Sequence, residues 1–180
     1  MATFKLCDGS VQKMANSILC EFEPHKPLLQ HRVKIEFIFA YASVNEKSAK
    51  ISNAITRNGV RCLGISRIIP TKDRIAGRGD AEVTLDGDWW KDANNQKRRA
   101  LLDHELHHVA IQLKGGLPVT DDAGRPKLTM RRHDYDFGWF TIIAQRHGNF
   151  SIEVEQANRI LMEQGEFYFP KLNRKQSNKG

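Results

Sequence analysis

The run His104-Glu105-Leu106-His107-His108 matches the pattern His-Glu-x-x-His. On a helix, residues four apart share one face, so His104 and His108 can offer two imidazoles to a single metal ion. Glu105 sits beside the first of them and faces the same open side, where it could take a proton from a water held by that metal. The chemistry open to these residue types is metal-assisted hydrolysis. Zinc is the expected ion, although two histidines and a glutamate leave manganese or another divalent cation open. A chance match arises roughly once or twice per hundred chains of this His and Glu content, so the surroundings must decide. His107 lies three residues after His104 and offers an alternative register, but only His104 with His108 places a glutamate where the pattern needs it.

Two protein ligands are too few for a catalytic zinc, which normally has three and one open position. His133, in Arg131-Arg132-His133-Asp134-Tyr135-Asp136-Phe137, is the best candidate for the third. It follows a turn-rich stretch from Gly115 to Arg132 and is expected to begin a new helix that reaches back to the metal. Asp134 could orient an imidazole or cap that helix. Asp121, Asp122, Asp136, His147 and Glu153 are the other candidates. His147 stands in Arg-His-Gly at a predicted helix end, where a histidine suits the terminal carbonyls and the dipole. His25 and His31 fall in a proline-containing N-terminal stretch and are expected to be solvated.

These side chains need a helix to align them. Asp92 to Lys114 contains no proline and Gly115-Gly116 supplies a stop, so the spacing predicts one helix across the motif. Leu102, Leu106, Val109 and Leu113 recur at helical spacing and should face the core. His104, Glu105 and His108 then lie on the neighbouring face, at the floor of a cleft. Upstream, Val11 to Glu23 reads as a short helix with Ile18, Leu19 and Phe22 on its apolar side, ended by Pro24 and Pro27. Val33, Ile35, Phe37, Phe39 and Tyr41 alternate as a strand, and Val60 to Ile69, closed by Pro70, reads as a second. Asn45 to Arg57 fits either a helical turn or a loop, and Lys72 to Asp80 reads as a turn. Ala81, Val83 and Leu85 alternate with Glu82, Thr84 and Asp86 in a third strand. As an exposed edge it could pair with an extended peptide; otherwise it is an ordinary sheet strand. Trp89 and Trp90 are expected to anchor strand to helix. Downstream, Asp134 to Arg146 reads as a helix carrying Phe137, Phe140, Ile143 and Ala144. Ser151 to Gln164 reads as another, with Ser151 as N-cap and Val154, Ala157 and Leu161 as partial core. The fold class is α+β, a small mixed sheet packed against the motif helix with further helices C-terminal.

The run Arg98-Arg99-Ala100-Leu101-Leu102-Asp103-His104-Glu105-Leu106-His107-His108-Val109, with His133-Asp134-x-x-Phe137 downstream, resembles the putative phage metallopeptidase family. Ile35-Glu36-Phe37-Ile38-Phe39-Ala40-Tyr41 and Asp88-Trp89-Trp90 also resemble that family's layout. More remotely, His-Glu-x-x-His followed by His-x-x-x-Phe is similar to the SprT and Spartan class of zinc peptidases, in which the downstream histidine completes the metal site. The likeness covers roughly Val33 to Gly148, and nothing here matches the cysteine zinc ribbon of some SprT-like proteins. The resemblance implies a zincin-like fold, a phage or prophage origin and a protein or peptide substrate. It also implies zinc held by His104, His108 and His133. With it the chain divides into an N-terminal helical extension (1–30), a metallopeptidase-like domain (31–170) and a basic, mobile tail (171–180).

On this reading Glu105 is the general base. It accepts a proton as the metal-activated water attacks the scissile carbonyl, then delivers it to the leaving amine. Tyr135 or His107 could help to stabilise the oxyanion. The competing reading is a non-catalytic binding module stabilised by metal, with nucleic acid as its associated partner. Against it, a structural zinc has no need of Glu105 and usually takes four protein ligands, often cysteines. A third reading is a nucleic-acid-associated protein with a vestigial metal site.

Composition sets the outer bounds. One hundred and eighty residues, 40% hydrophobic and 27% charged, suit one globular domain. No apolar run approaches spanning length and Met1 to Ser10 lacks a hydrophobic signal region, so a cytoplasmic protein with no membrane partner is expected. Cys7, Cys20 and Cys62 are widely spaced and read as free thiols. The net charge of +7 gathers at Lys97-Arg98-Arg99, at Arg125 to Arg132 and in the tail at Lys171, Arg174, Lys175 and Lys179. Such clusters make nucleic acid a candidate partner through counterion release, although no binding-fold signature accompanies them. No pattern in the chain speaks to its oligomeric state.

Overall fold

Alternating apolar residues build the sheet that carries the rest of the chain. The computed structural model describes residues 2–44, 52–57, 59–122, 124–133 and 140–159. In the first half, the elements are β1 (Thr3–Leu6), α1 (Gly9–Glu21), α2 (Lys26–Gln30), β2 (Ile35–Tyr41), β3 (Ile55–Arg57), β4 (Val60–Cys62), β5 (Gly64–Ile68) and α3 (Thr71–Ile75). The second half contributes β6 (Ala81–Asp86), α4 (Gly87–Asp92), α5 (Asn95–His108), β7 (Val109–Ile111), β8 (Leu113–Lys114), β9 (Leu117–Pro118), β10 (Leu128–Met130) and α6 (Thr141–His147). Residues 152–159 are helical as well (α7).

The main sheet is mixed, in the order β1-β2-β6-β5. β1 runs antiparallel to β2, β2 parallel to β6, and β5 antiparallel to β6. Phe37, Phe39, Val83 and Leu85 share one core with Val11, Ala15, Ile18 and Leu19 of α1 and with Leu102 and Leu106 of α5. Complete burial of Leu102 and Leu106 contributes about 1.5–3 kcal/mol each. The α+β class and the small mixed sheet are those the sequence predicts. The N-terminal residues, expected to be only a helical extension, also supply β1 to the sheet, and α1 belongs to the common core. Asp8 caps α1 by accepting from the Ser10 amide. No helix among the described residues is long and apolar enough to cross a membrane.

Several local expectations are corrected. The motif helix ends at His108, not near Lys114, and Val109–Ile111 instead pairs with Leu128–Met130. β-Branched Val109 and Ile111 suit a strand, and a long-range partner overrides the helical spacing. Gly115-Gly116 is therefore the turn between β8 and β9, where both residues need positive φ (58° and 80°), rather than a helix stop. Leu113 is exposed instead of facing the core. The third strand, β6, is paired on both sides and buried at all six positions, so it is no edge for a peptide. Its polar residues are satisfied internally: Arg67 grips Glu82 with two hydrogen bonds of 2.7 and 2.8 Å, and Asp86 caps α4 through the Trp89 amide. The predicted strand from Val60 to Ile69 divides into β4, which pairs with β3, and β5, which pairs with β6. Thr71–Ile75 is helical rather than a turn. Trp90 is buried against Phe39, as an anchor should be.

Beneath α5, the buried Asp103 carboxylate gathers three cationic or polar partners. His25 lies 2.6 Å away, His147 2.7 Å, and Arg146 donates at 3.1 and 3.2 Å. Two expectations give way here. His25 is fully buried, not solvated, and His147 bonds Asp103 rather than helix carbonyls. Burial works against the charge of Asp103, but His147, His25 and Arg146 outweigh it and hold the carboxyl well below the usual range. A depressed folded-state pKa stabilises above the ordinary Asp range, and that stability fades as pH falls through the folded value. Asp103→Ala is expected to cost about 3–5 kcal/mol at neutral pH in urea unfolding, because two histidines and an arginine lose their shared partner. The difference from wild type should shrink toward strongly acidic pH.

Candidate metal centre

Asn94 caps α5 by accepting from the Lys97 amide, which sets the helix phase that brings His104 and His108 to one side. The strand pair β7–β10 then fixes the third histidine. Its register sets Met130 opposite Val109, and the Arg131 amide donates to the His108 carbonyl at 2.7 Å. His133 follows two residues later in irregular chain; residues 134–139, where a helix is expected to begin, lie outside the described residues, and the next described helix begins at Thr141. The Nε2 atom of His133 lies 3.3 Å from Nε2 of His104 and 3.2 Å from Nε2 of His108. Ligand nitrogens ~2.0–2.1 Å from a tetrahedral ion are roughly 3.3–3.4 Å apart, so this spacing fits one shared cation. The three histidines could hold a metal ion.

Hydrogen bonds on the far side of two rings prepare them for that role. His104 Nδ1 donates to the buried Glu153 carboxylate, and His108 Nδ1 donates to the Arg131 carbonyl at 2.9 Å. Each bond leaves Nε2 with a free lone pair directed at the centre, the arrangement a ligating imidazole needs. A proton on His133 Nε2 could satisfy only one of its two neighbours, whereas a cation serves all three. Burial opposes charge on His104, but Glu153, Glu105 and Asp103 outweigh it and raise the ring's pKa. On His108, burial prevails over the Arg131 hydrogen bond, and with the neighbouring histidines lowers it to about 4.

Phe140 forms the floor beneath these rings. It is 2% exposed and its ring centroid lies 4.6–5.1 Å from those of His104, His107, His108 and His133. His107 points into this packing and away from the other three. Burial first, then the charge of Arg131, lowers it to about 3, so it stays neutral.

Glu105 is held against β5, the sheet edge nearest the site. Ser66 Oγ donates to the Glu105 carboxylate at 2.8 Å and also lies 2.8 Å from its backbone carbonyl. A Cβ at Gly64 would stand 2.6 Å from Glu105 Oε1, so only glycine leaves room for the carboxylate here. Burial raises the pKa of Glu105, against the lowering effects of His104 and Ser66. The three histidines, Glu105, Ser66 and Arg57 line one pocket.

Of the alternative third ligands, Asp121 pairs with Arg74 at 2.7 Å, His147 bonds Asp103, and Glu153 supports His104 from behind. Asp122 is exposed, outside the histidine group. Asp134, Tyr135, Asp136 and Phe137 lie outside the described residues, as do Leu161, the tail 171–180 and the 45–51 part of the Asn45–Arg57 stretch. Sequence reasoning missed Gly64, Ser66 and the floor provided by Phe140, none of which carries a spacing signal toward the motif. The basic run at 97–99 is engaged within the chain: Lys97 pairs with Glu155, Arg98 donates to the Trp90 carbonyl, and Arg99 pairs with Glu21.

A family model described as putative phage metallopeptidase matches residues 6–162 of the chain. No curated protein and no solved structure matches it. The match spans the described strands after β1, the histidine cluster and the helices around them, and on that extent the chain belongs to the putative phage metallopeptidase family.

Proposed function

We propose that this chain is a zinc-dependent peptidase in which His104, His108 and His133 hold the ion and Glu105 is the general base. The observation that carries this reading is the convergence of three Nε2 atoms, two of them at 3.2 and 3.3 Å from the third, beside a buried carboxylate that is not one of them. A structural site has no use for such a carboxylate. Zinc bound there would supply Lewis acidity, polarising a scissile carbonyl and making a water acidic enough to lose a proton near neutral pH.

The chain's own residues do the remainder. Glu105 accepts the proton of the attacking water, the new C–O bond forms at the carbonyl carbon, and the C–N bond breaks as the proton passes to the amine nitrogen. Ser66 holds the carboxylate in place through Oγ, and Gly64 leaves it the room. Glu153 and the Arg131 carbonyl fix the tautomers of His104 and His108. Phe140 keeps water from the far side of the cluster. Because β6 is internal, the edge available to an extended peptide beside the site is β5.

The test is metal analysis joined to hydrolysis of an unfolded protein such as denatured casein. Purified protein should carry about one equivalent of zinc. Chelation should remove both metal and hydrolysis, and added zinc should restore both. Full zinc occupancy with no cleavage of any unfolded substrate would favour the metal-stabilised binding module instead.

A further inference from the structure

The hairpin β3–β4 stands over the pocket that holds Glu105 and the three histidines, and it carries two arginines in unlike situations. Arg61 is committed to the fold: its guanidinium meets the buried Asp86 carboxylate at 2.8 Å. Arg57 is exposed, lines the same pocket, and forms no ion pair among the described residues. Its position is nonetheless firm. Two residues earlier, Ile55 is buried in a small cluster with Ala40 and Ala54, against which Cys62 and Ile65 pack. Arg57 itself is paired across the hairpin with Val60. Its charge reaches both Glu105 and His108.

The rest of the pocket makes this cation stand out. Leu63, Ile65, Met130 and Ile152 give it apolar walls. Glu105 is the only carboxylate among its described lining residues, and that group is buried and bonded to Ser66. An arginine beside a largely apolar cleft, with no acidic side chain paired to it among the described residues, is complementary to an anionic group on whatever enters.

We propose that Arg57 selects substrates with an acidic side chain close to the scissile bond, its guanidinium pairing with that carboxylate. The identity of the ligand as a peptide rests on the peptidase reading above. Selection through this arginine works by attraction at the cleft mouth, so it should weaken as salt screens it.

Binding can be measured without turnover. The protein is zinc-loaded Glu105→Gln, and the probes are labelled Ala/Gly octapeptides with acetylated and amidated ends, carrying one Glu, Gln or Lys moved through each position. At one position the Glu peptide should bind roughly two- to fivefold more tightly than its Gln counterpart at low salt, the scale of an exposed ion pair. Adding Arg57→Ala should bring that ratio near one, Arg57→Lys should retain most of it, and Arg57→Glu should turn the preference toward Lys. Equal binding of Glu and Gln peptides at every position, or a ratio indifferent to Arg57→Ala, overturns the proposal. A Gln peptide with a free C-terminus gaining the advantage while internal Glu gains none also overturns it, in favour of terminal-carboxylate recognition. Hydrolysis of the same peptides by the protein with Glu105 intact is read separately. Arg57-dependent binding without cleavage would refute the peptidase reading and leave the carboxylate selection standing.

Discussion

Glu105→Gln is expected to keep its full equivalent of zinc and to lower peptide hydrolysis by about 10²–10⁴-fold, the usual worth of a positioned general base. Glutamine fills the same volume beside Gly64, and its amide oxygen can still accept from Ser66, so the helix and the histidines stay where they are. What is lost is the ability to take a proton. Metal content and turnover must therefore separate in this variant. If zinc falls together with activity, Glu105 supports the ion and not the reaction; if turnover survives, another group is the base. The wild type should also show the base in its pH profile. Burial raises the Glu105 carboxyl, and activity appears only as it loses its proton, so the acidic limb of kcat/KM should lie above the ordinary Glu range.

The contrast between Glu105 and Glu153 shows what a sequence can and cannot specify here. Glu105 is legible because its neighbours are local: a helix of known pitch fixes its relation to His104 and His108. Glu153 lies 49 residues from His104, and only the packing of α7 against α5 turns it from a possible ligand into the acceptor for Nδ1. In the sequence, His133 stands out only by its residue type and its place downstream. The reason it meets the other histidines is the register of β10 on β7, a pairing that helical periodicity across Val109 conceals. The reading of β6 as an edge fails for a related reason. Its alternation of apolar and charged residues looks half-solvated until Arg67, Arg78 and Arg61 arrive from other elements to satisfy Glu82 and Asp86. His25 is misjudged in the same way, since a proline-containing stretch gives no hint that Asp103, 78 residues on, will bury it. Class, main strands and motif follow from local pattern, whereas the support around the motif depends on long-range pairing.

His133→Ala is expected to weaken zinc affinity by more than about a hundredfold, beyond the usual effect of disturbing a ligand's outer partner. Two imidazoles on one helix face would remain, and neither Glu105, bonded to Ser66, nor Glu153, bonded to His104, is free to replace the third without breaking a buried contact. The fold should survive in metal-free form, because His133 lies in irregular chain after β10 and outside the apolar core. His147→Ala is the informative partner. That histidine also lies downstream of the motif, but it holds Asp103 beneath α5 rather than facing the cluster, so its removal should lower stability and leave about one equivalent of zinc. Competition with a chromophoric chelator measures affinity, and urea unfolding measures stability, for both variants. Loss of metal in His133→Ala with retained stability, and the reverse in His147→Ala, would separate the histidine that binds from the histidine that braces. Equal zinc affinity in His133→Ala and wild type would remove His133 from the site and transfer the third position to another side chain, and the 3.2 and 3.3 Å convergence would then have to be explained without a shared ion.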